Sequence, residues 1–457
     1  MTQGLSIAAS SIAAETTAID TIAQNIANAQ TPGYVAETAV LSATPGAGGT
    51  GAGAGVEVGT IAQATNAILS ASTWQAQGAL ASVSALFQTL RSAETLFPIG
   101  AQAQATAGGG IPAELSAFWN SWDSIAQSPS ASAPRIQAID DAQSLVVSLH
   151  QAAAQLTEMA SNVNTQLSDQ VSQVNTLLKD AASLNQAITQ SVNPGSANEL
   201  SDQLRAVIGT LAQLAGVSAR YQADGTATIS ISGVTVVQAA TATSLELAKQ
   251  GTPPSTVVVL ATSPTVQVPA ANGSVAGLLS ATNHYLPDYR SELDAVASTL
   301  KGEVNAQLAK GYTATGAFGA THPLFVGTAA SGLSVSTAVV ADPALLAASG
   351  TPTPAAAVND GANAQAMAEL ATSPTGPDAA YRTLVQDIGT GTQSANNQLA
   401  AATAVATQAQ TALQAVSGVD VTEQMTQLLT DQQNFEASAK LVSIVSTTLQ
   451  SLEQAIA

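Results

Sequence analysis

The stretch QNIANAQTPGYV, residues 24–35, governs the reading of the whole chain. Through Gln30 its small apolar and amide residues keep a helical rhythm; at Thr31-Pro32-Gly33-Tyr34 the rhythm stops. Proline biases the residue before it away from the α region, so Thr31 leaves the helix, and Gly33 permits the turn that follows. Upstream, Leu5, Ile12, Ile19 and Ile26 recur every seven residues, with Ala8, Ala9 and Ile22 on the same side. Glu15 and Asp20 are the only charges before the stop. A helix with so little demand for water suits burial among other helices better than a lone exposed position.

The far end mirrors this pattern. Val421, Leu428, Phe435, Val442, Leu449 and Ile456 also recur every seven residues, supported by Met425, Ala439, Val445 and Leu452. A strict seven-residue apolar repeat holds its seam against a partner helix by left-handed supercoiling. The two termini are therefore expected to pair as a coiled coil. Gln424, Asp431 and Ser438 interrupt the C-terminal seam, so that helix is expected to be marginal alone. In one free chain the terminal apolar faces are expected to lack partners and to order fully only in an assembly.

Composition restricts the rest. Charged residues are 9% of the 457 and aromatics 3%, against a usual charged fraction of roughly 25%. Ala, Ser, Thr and Gln pack thin layers, which favours long helices lying side by side. Thirty acids against 11 bases give a net charge of −19, the wrong sign for nucleic acid, whose phosphates need clustered Lys and Arg. The first basic residue is Arg91, so no positive n-region of a cleaved signal precedes an apolar core. No apolar run approaches the ~18 residues of a membrane span.

Catalytic or metal chemistry finds little footing. The absence of cysteine removes thiol nucleophiles, disulfides and Cys-based zinc sites. His150, His284 and His322 are far apart, with no second His at helical spacing. Asp140-Asp141 is an adjacent acid pair on a helix and reads as a solvated face. Gly46, Gly48 and Gly51 match G-x-G-x-x-G, but a dinucleotide site needs that pattern after a strand and before a helix, and here a strand-like segment, Val56 to Ile61, follows. No cofactor, metal or enzymatic activity is expected.

The organisation is nested and mainly α with β-rich insertions, in an elongated multidomain subunit. Residues 1–43 form the N-terminal helix and its stop, pairing with 417–457. Residues 44–63 are a Gly-rich linker and a strand. A long helical bundle domain spans 64–214, continued by 281–312 and 364–416; within it 64–97, 113–190 and 198–214 read as helices, and Phe118, Trp119 and Trp122 as core. A small outer β subdomain occupies 215–280, with strands around 217–221, 226–232, 234–237 and 256–268 and a turn at Asp224-Gly225. Residues 313–363 are a low-complexity insertion with some β character.

Residues 24–34 resemble the N-terminal signature of bacterial flagellar axial proteins, the family of rod, hook and hook-associated subunits, with Gln24 where an Asn is usual. Ser417-Gly-Val-Asp-Val-Thr-Glu423 and Gln432-Gln-Asn-Phe-Glu-Ala-Ser-Ala439 resemble its C-terminal stretches. Asn198-Glu-Leu-Ser-Asp-Gln-Leu-Arg205, Leu211 to Val217 and Asn359 to Gln365 are similar to blocks of the hook-associated members. The resemblance implies a non-enzymatic junction subunit between hook and filament, outside the cell, exported uncleaved through the flagellar type III route. It implies copies of itself, hook protein, the adjacent junction protein and an export chaperone at the C-terminal helix as partners. Its assembly interface would be Leu5, Ile12, Ile19, Ile22, Asn25, Ile26, Asn28, Thr31, Pro32, Gly33 and Tyr34, with Val421, Met425, Leu428, Phe435, Val442, Val445, Leu449, Leu452 and Ile456. The alternatives are a hook or distal rod subunit of the same family, or a non-flagellar coiled-coil surface protein; the 198–225 block separates the first from a junction subunit.

Overall fold

A computed structural model describes residues 2–31, 33–45, 53–97, 110–191 and 194–456. Helix α1, Thr2–Asn28, ends in the turn anticipated above: the Thr31 amide donates to Asn28 O at 2.8 Å, and Gly33 takes φ +85°. Pro32 lies outside the described residues. Strands β1, Glu37–Thr44, and β2, Gly55–Gln63, then pair antiparallel. The strand expected from Val56 to Ile61 is β2, whereas β1 lies in the segment 1–43 that was read as helix and stop alone. The outer half of β1, from Val40 to Ala43, is exposed, so burial imposes no polar–apolar alternation there and the strand left no period-two signal. The candidate glycine motif at Gly46, Gly48 and Gly51 lies outside the described residues.

Helix α2, Ala67–Leu96, starts at Asn66, whose side chain accepts from the Ile68 and Leu69 amides, both at 3.1 Å. Helices α3, Gly110–Gln127, and α4, Ser132–Gln190, make up the helical stretch expected over 113–190. Pro129 sits at the break, where its ring and missing N–H cannot continue α3, while Pro134 falls in the first turn of α4, where no amide partner is lost. Helix α5, Pro194–Ala215, leads into the β subdomain. There β3 (Val217–Tyr221), β4 (Ala227–Ile231), β5 (Val234–Gln238) and β6 (Thr241–Ala242) form one antiparallel sheet; β7 (Leu245–Gln250), β8 (Ser255–Leu260) and β9 (Ser263–Gln267) form another. Strand β7 escaped the sequence reading because Glu246, Lys249 and Gln250 are poor strand formers.

Helix α6, Ser274–Ser280, continues through a π-helical turn, Ala281–Tyr285, into α7, Leu286–Leu308. It crosses α2 at Gly277, where a Cβ would lie 2.1 Å from Ser82 O, so only glycine allows the approach. Residues 313–361 are an irregular cap with one small hairpin, β10 (Phe325–Val326) and β11 (Ser334–Val335). Leu324, Phe325, Val339 and Leu346 of this cap are fully buried against the helices. The Asp360 carboxylate ties it down, accepting from Ser349 Oγ at 3.0 Å and the amides of Gly350 and Ala362 at 2.9 Å. Helices α8 (Ala362–Ala368), α9 (Pro377–Ser417) and α10 (Val421–Ile456) complete the chain.

Two cores share α4. Its first half packs Leu145 and Leu149 against Phe118, Trp122, Leu293 and Leu384; its second half packs Val163, Leu167 and Leu178 against Leu204, Ile208 and the strand residues Ile229 and Val237. At 59 residues the helix is about 90 Å long, so the body is elongated and mainly helical, with small β-rich insertions.

One half-buried acid marks the α7–α9 contact. Burial, then the neighbouring Asp387 carboxylate, push the Glu292 carboxyl up to about 7. A raised folded-state value means stability that is full below about 4.5, the unfolded value, and lost as pH rises through about 7. Thermal midpoints of the wild-type chain should therefore fall between pH 5 and pH 8 by more than those of Glu292→Gln. Equal falls in the two proteins would place the pH sensitivity elsewhere.

Candidate assembly interface

The terminal helices α1 and α10 pack against each other along their length. Ser11 Oγ meets Ser438 Oγ at 2.9 Å, and Asn25 Nδ2 donates to Gln424 Oε1 at 2.8 Å. Rising numbers on α1 thus meet falling numbers on α10, and the pair is antiparallel. Both steps, 11 to 25 and 424 to 438, are 14 residues, so the register holds over two heptads. Between the two rungs lies Asp431, only 6% exposed, with Gln427 Nε2 donating to it at 3.0 Å. Burial raises the Asp431 carboxyl; burial, then the charge of Asp431, raise Glu15 on α1.

Of the three residues expected to weaken the seam, Gln424 and Ser438 are thus rungs across it, and Asp431 is buried between them. The apolar positions fill the intervals. Ile22 is buried, and Ile12, Ile19, Ile26, Leu428, Phe435, Val442, Val445 and Leu449 are half-buried. Leu5, Val421 and Met425 stay exposed, and the side chains of Leu452 and Ile456 lie outside those described. The expectation that the apolar face of α1 lacks a partner in one chain is corrected: α10 of the same chain covers it, because the antiparallel return brings the two repeats into a common register.

At the inner end of this pair, Asn25 is completely buried. Its Nδ2 donates to Glu37 O at 2.7 Å as well as to Gln424, and its Oδ1 accepts from the Glu37 amide and the Tyr34 hydroxyl, both at 2.9 Å. One side chain thereby joins α1, the turn, β1 and α10. Burial pushes the Tyr34 hydroxyl far above its ordinary value, so it stays a donor at any physiological pH. Asn28 and Thr31 act locally, Thr31 Oγ1 donating to Asn28 Oδ1 at 3.1 Å, while Gly33 is exposed at the turn. The Ala36 amide donates to Ser417 O at 3.0 Å, tying the turn to the end of α9. Asp420 then caps α10, accepting from the Thr422 and Glu423 amides at 2.8 and 3.2 Å. That cap was missed in the sequence, although Asp420 followed three residues later by Glu423, ahead of an apolar repeat, is the spacing of a capping box.

Among the described residues no three His, Asp or Glu side chains lie close enough to hold a metal ion, and no helix is long and apolar enough to cross a membrane. Of the residues weighed for chemistry, His150 Nε2 lies 2.8 Å from Leu333 O, and Asp141 accepts from Gln137 at 2.7 Å.

Residues 102–352 match the family described as flagellar hook-associated protein FlgK helical domain. The chain belongs to the FlgK family. Residues 5–34 match the flagella basal body rod protein family and 409–455 the C-terminal family of flagellar basal body rod FlgEFG proteins, so the FlgK body is framed by ends of a wider axial type. Flagellar hook-associated protein 1 of Salmonella typhimurium is 25% identical over 322 residues, and that of Escherichia coli K12 is 24% identical. Each alignment covers 68% of this chain and 57% of the relative, so the chain spans little more than half the length of these curated proteins. The flagellar hook junction protein FlgK from Burkholderia pseudomallei shares the fold, with a TM-score of 0.63 at 18% identity over 77% of this chain and 100% of that one. The elongated helical body with small sheets is therefore a FlgK-like fold.

Replacing the hub tests its importance. Asn25→Ala leaves the Glu37 amide and the Gln424 side chain without their partner, at a cost of roughly 1–3 kcal/mol. Hydrogen–deuterium exchange should accelerate across 2–28 and 421–456 while α4 keeps its protection; unchanged exchange at both ends would remove Asn25 from its role. At neutral pH Asp431→Asn, which removes a charge from the seam, should slow exchange in the same two segments.

Proposed function

We propose that this chain is a junction subunit that connects hook to filament in the bacterial flagellum and polymerises through its terminal helices. The observation that carries this reading is the outer side of the α1–α10 pair. With the inner seam already filled, Met425, Leu429, Leu441 and Ile444 remain 47–60% exposed on α10, and Leu5 and Ile7 are exposed on α1. A helix apolar on two sides calls for more neighbours than one chain supplies, and copies of the chain stacked around an axis would supply them. The match of 102–352 to the FlgK helical domain and the names of the relatives, hook-associated protein 1 and hook junction protein, support the junction over a hook or distal rod subunit.

In this reading the partners are further copies of the chain, the hook protein on one side and the adjacent junction protein on the other. The β-rich subdomain faces outward, and the subunit works outside the cell after export without a cleaved signal. An export chaperone holds α10 before assembly. The polar rungs at Ser438 and Gln424, with buried Asp431 between them, suit such a hand-over, since a seam with a buried charge at its middle separates more readily than an all-apolar one.

The test is made in cells that lack the native chain and produce Leu429→Glu with Ile444→Glu. The double variant should be exported, hooks should form, and filament subunits should appear in the medium instead of in filaments. Normal filaments on these cells would refute assembly through the outer side of α10, and loss of the hooks themselves would favour a hook or rod subunit instead.

A further inference from the structure

Two of the sequence blocks that carried the family resemblance, the signature at 24–34 and the block at 198–205, are linked in space through Glu37 and Gln63. Asn198, Asp202 and Arg205 lie at i, i+4 and i+7 on α5, which places them on one helix face, while Leu204 and Ile208 point into the second core. That polar face covers the base of the β1–β2 hairpin. Gln63, the last residue of β2, donates to Asp202 Oδ1 at 2.9 Å and to Asn198 O and Glu37 Oε1 at 3.4 Å, and accepts from Arg205 at 2.5 Å. Asn198 Nδ2 donates to Ile61 O at 3.0 Å. Arg205 and Asp202 form the only side-chain ion pair among the described residues, and Asp202 also accepts from the backbone amide of Val35. Glu37, 7% exposed, connects this cluster to Asn25.

The covalent links between the terminal helix pair and the body are short. Residues 64–66 join β2 to α2, and 418–420 join α9 to α10. Such loops can absorb large backbone rotations, so they do not define an angle on their own. Apolar contact is non-directional, whereas a largely desolvated polar network, here hydrogen-bonded throughout except at Arg205 Nε, keeps its bonds only in one arrangement. We propose that Gln63, Asn198, Asp202 and Arg205 form an orienting clasp that sets the direction in which the α1–α10 pair leaves the helical body. These are positioning residues, acting through Glu37 and Asn25 on the terminal helices. The inference concerns the single chain and stands whether or not the chain serves the hook–filament junction.

The natural lack of cysteine makes the test clean. Spin labels on Glu436→Cys of α10 and Asp180→Cys of α4, both exposed, report the angle between pair and body by pulsed electron–electron resonance. A second pair, Ala9→Cys with Glu436→Cys, reports the α1–α10 pairing alone. The unaltered clasp should give one narrow body-to-pair distance distribution, and both Asp202→Ala and Gln63→Leu should broaden or shift it. The distances within the helix pair and the circular dichroism should stay as they were. Gln203→Ala, on the exposed side of α5, should change nothing. An unchanged body-to-pair distribution in both clasp variants would overturn the proposal. Broadening of the Ala9–Glu436 distances, or loss of helix, would do so as well, since the cluster would then support folding and not direction.

Discussion

The structure turns on the side chain of Asn25. It is the point at which the first helix, the turn after it, the first strand and the last helix are joined, and it is wholly removed from water. An amide is suited to this position because it offers two donors and two acceptor lone pairs in one plane. A carboxylate would repel Glu37 O, and an apolar side chain would leave the Glu37 amide unpaired in a dry site. The hub closes a chain of 457 residues on itself: the segment that follows residue 25 and the segment that precedes residue 424 must both arrive there.

The scarcity of charge gives the rest of the molecule its style. With few ion pairs available, connections between elements are made by amides and hydroxyls bonded to backbone. Asn185 donates to Ala227 O and accepts from the Ala227 amide, holding α4 to β4; Asn175 does the same for Leu245 on β7. Asn305 holds the cap, donating to Phe325 O and accepting from the amides of Leu324 and Phe325. Each is a neutral bond pair that mimics one more rung of a sheet, and such bonds are insensitive to salt and pH in a way that surface ion pairs are not. The acids drawn out of water, Glu37 and Asp431 almost wholly and Asp202 and Glu292 in part, therefore stand out as the places where protonation reaches the structure.

Much of this was legible in the linear sequence, and for identifiable reasons. Long helices with a sustained period, α4 above all, announce themselves because burial of one face dictates where apolar residues recur. The Thr31-Pro32-Gly33 stop was legible because proline and glycine act on the backbone locally. Strand β1, strand β7 and the helix from Ser274 were not, because the first is largely exposed, the second carries poor strand formers, and the third is held by close approach to α2 at Gly277. The cap over 313–361 looked like low complexity, since its small residues are buried by the neighbouring helices and not by any period of their own.

The same division holds for the interface. The sequence by itself determined that both ends are amphipathic helices of matching seven-residue period, that the first stops at residue 31, and that no cysteine or clustered basic charge is available. These follow from properties that each residue carries locally or repeats at short range. Only the tertiary structure decided that Gln424 and Ser438 are rungs of the seam with Asp431 buried between them, because a polar residue at a seam position reads the same whether or not a partner awaits it across the chain. Only the fold, likewise, brought Asp202 and Arg205 to Gln63, since a hydrogen bond between residues more than a hundred positions apart leaves no period in either segment.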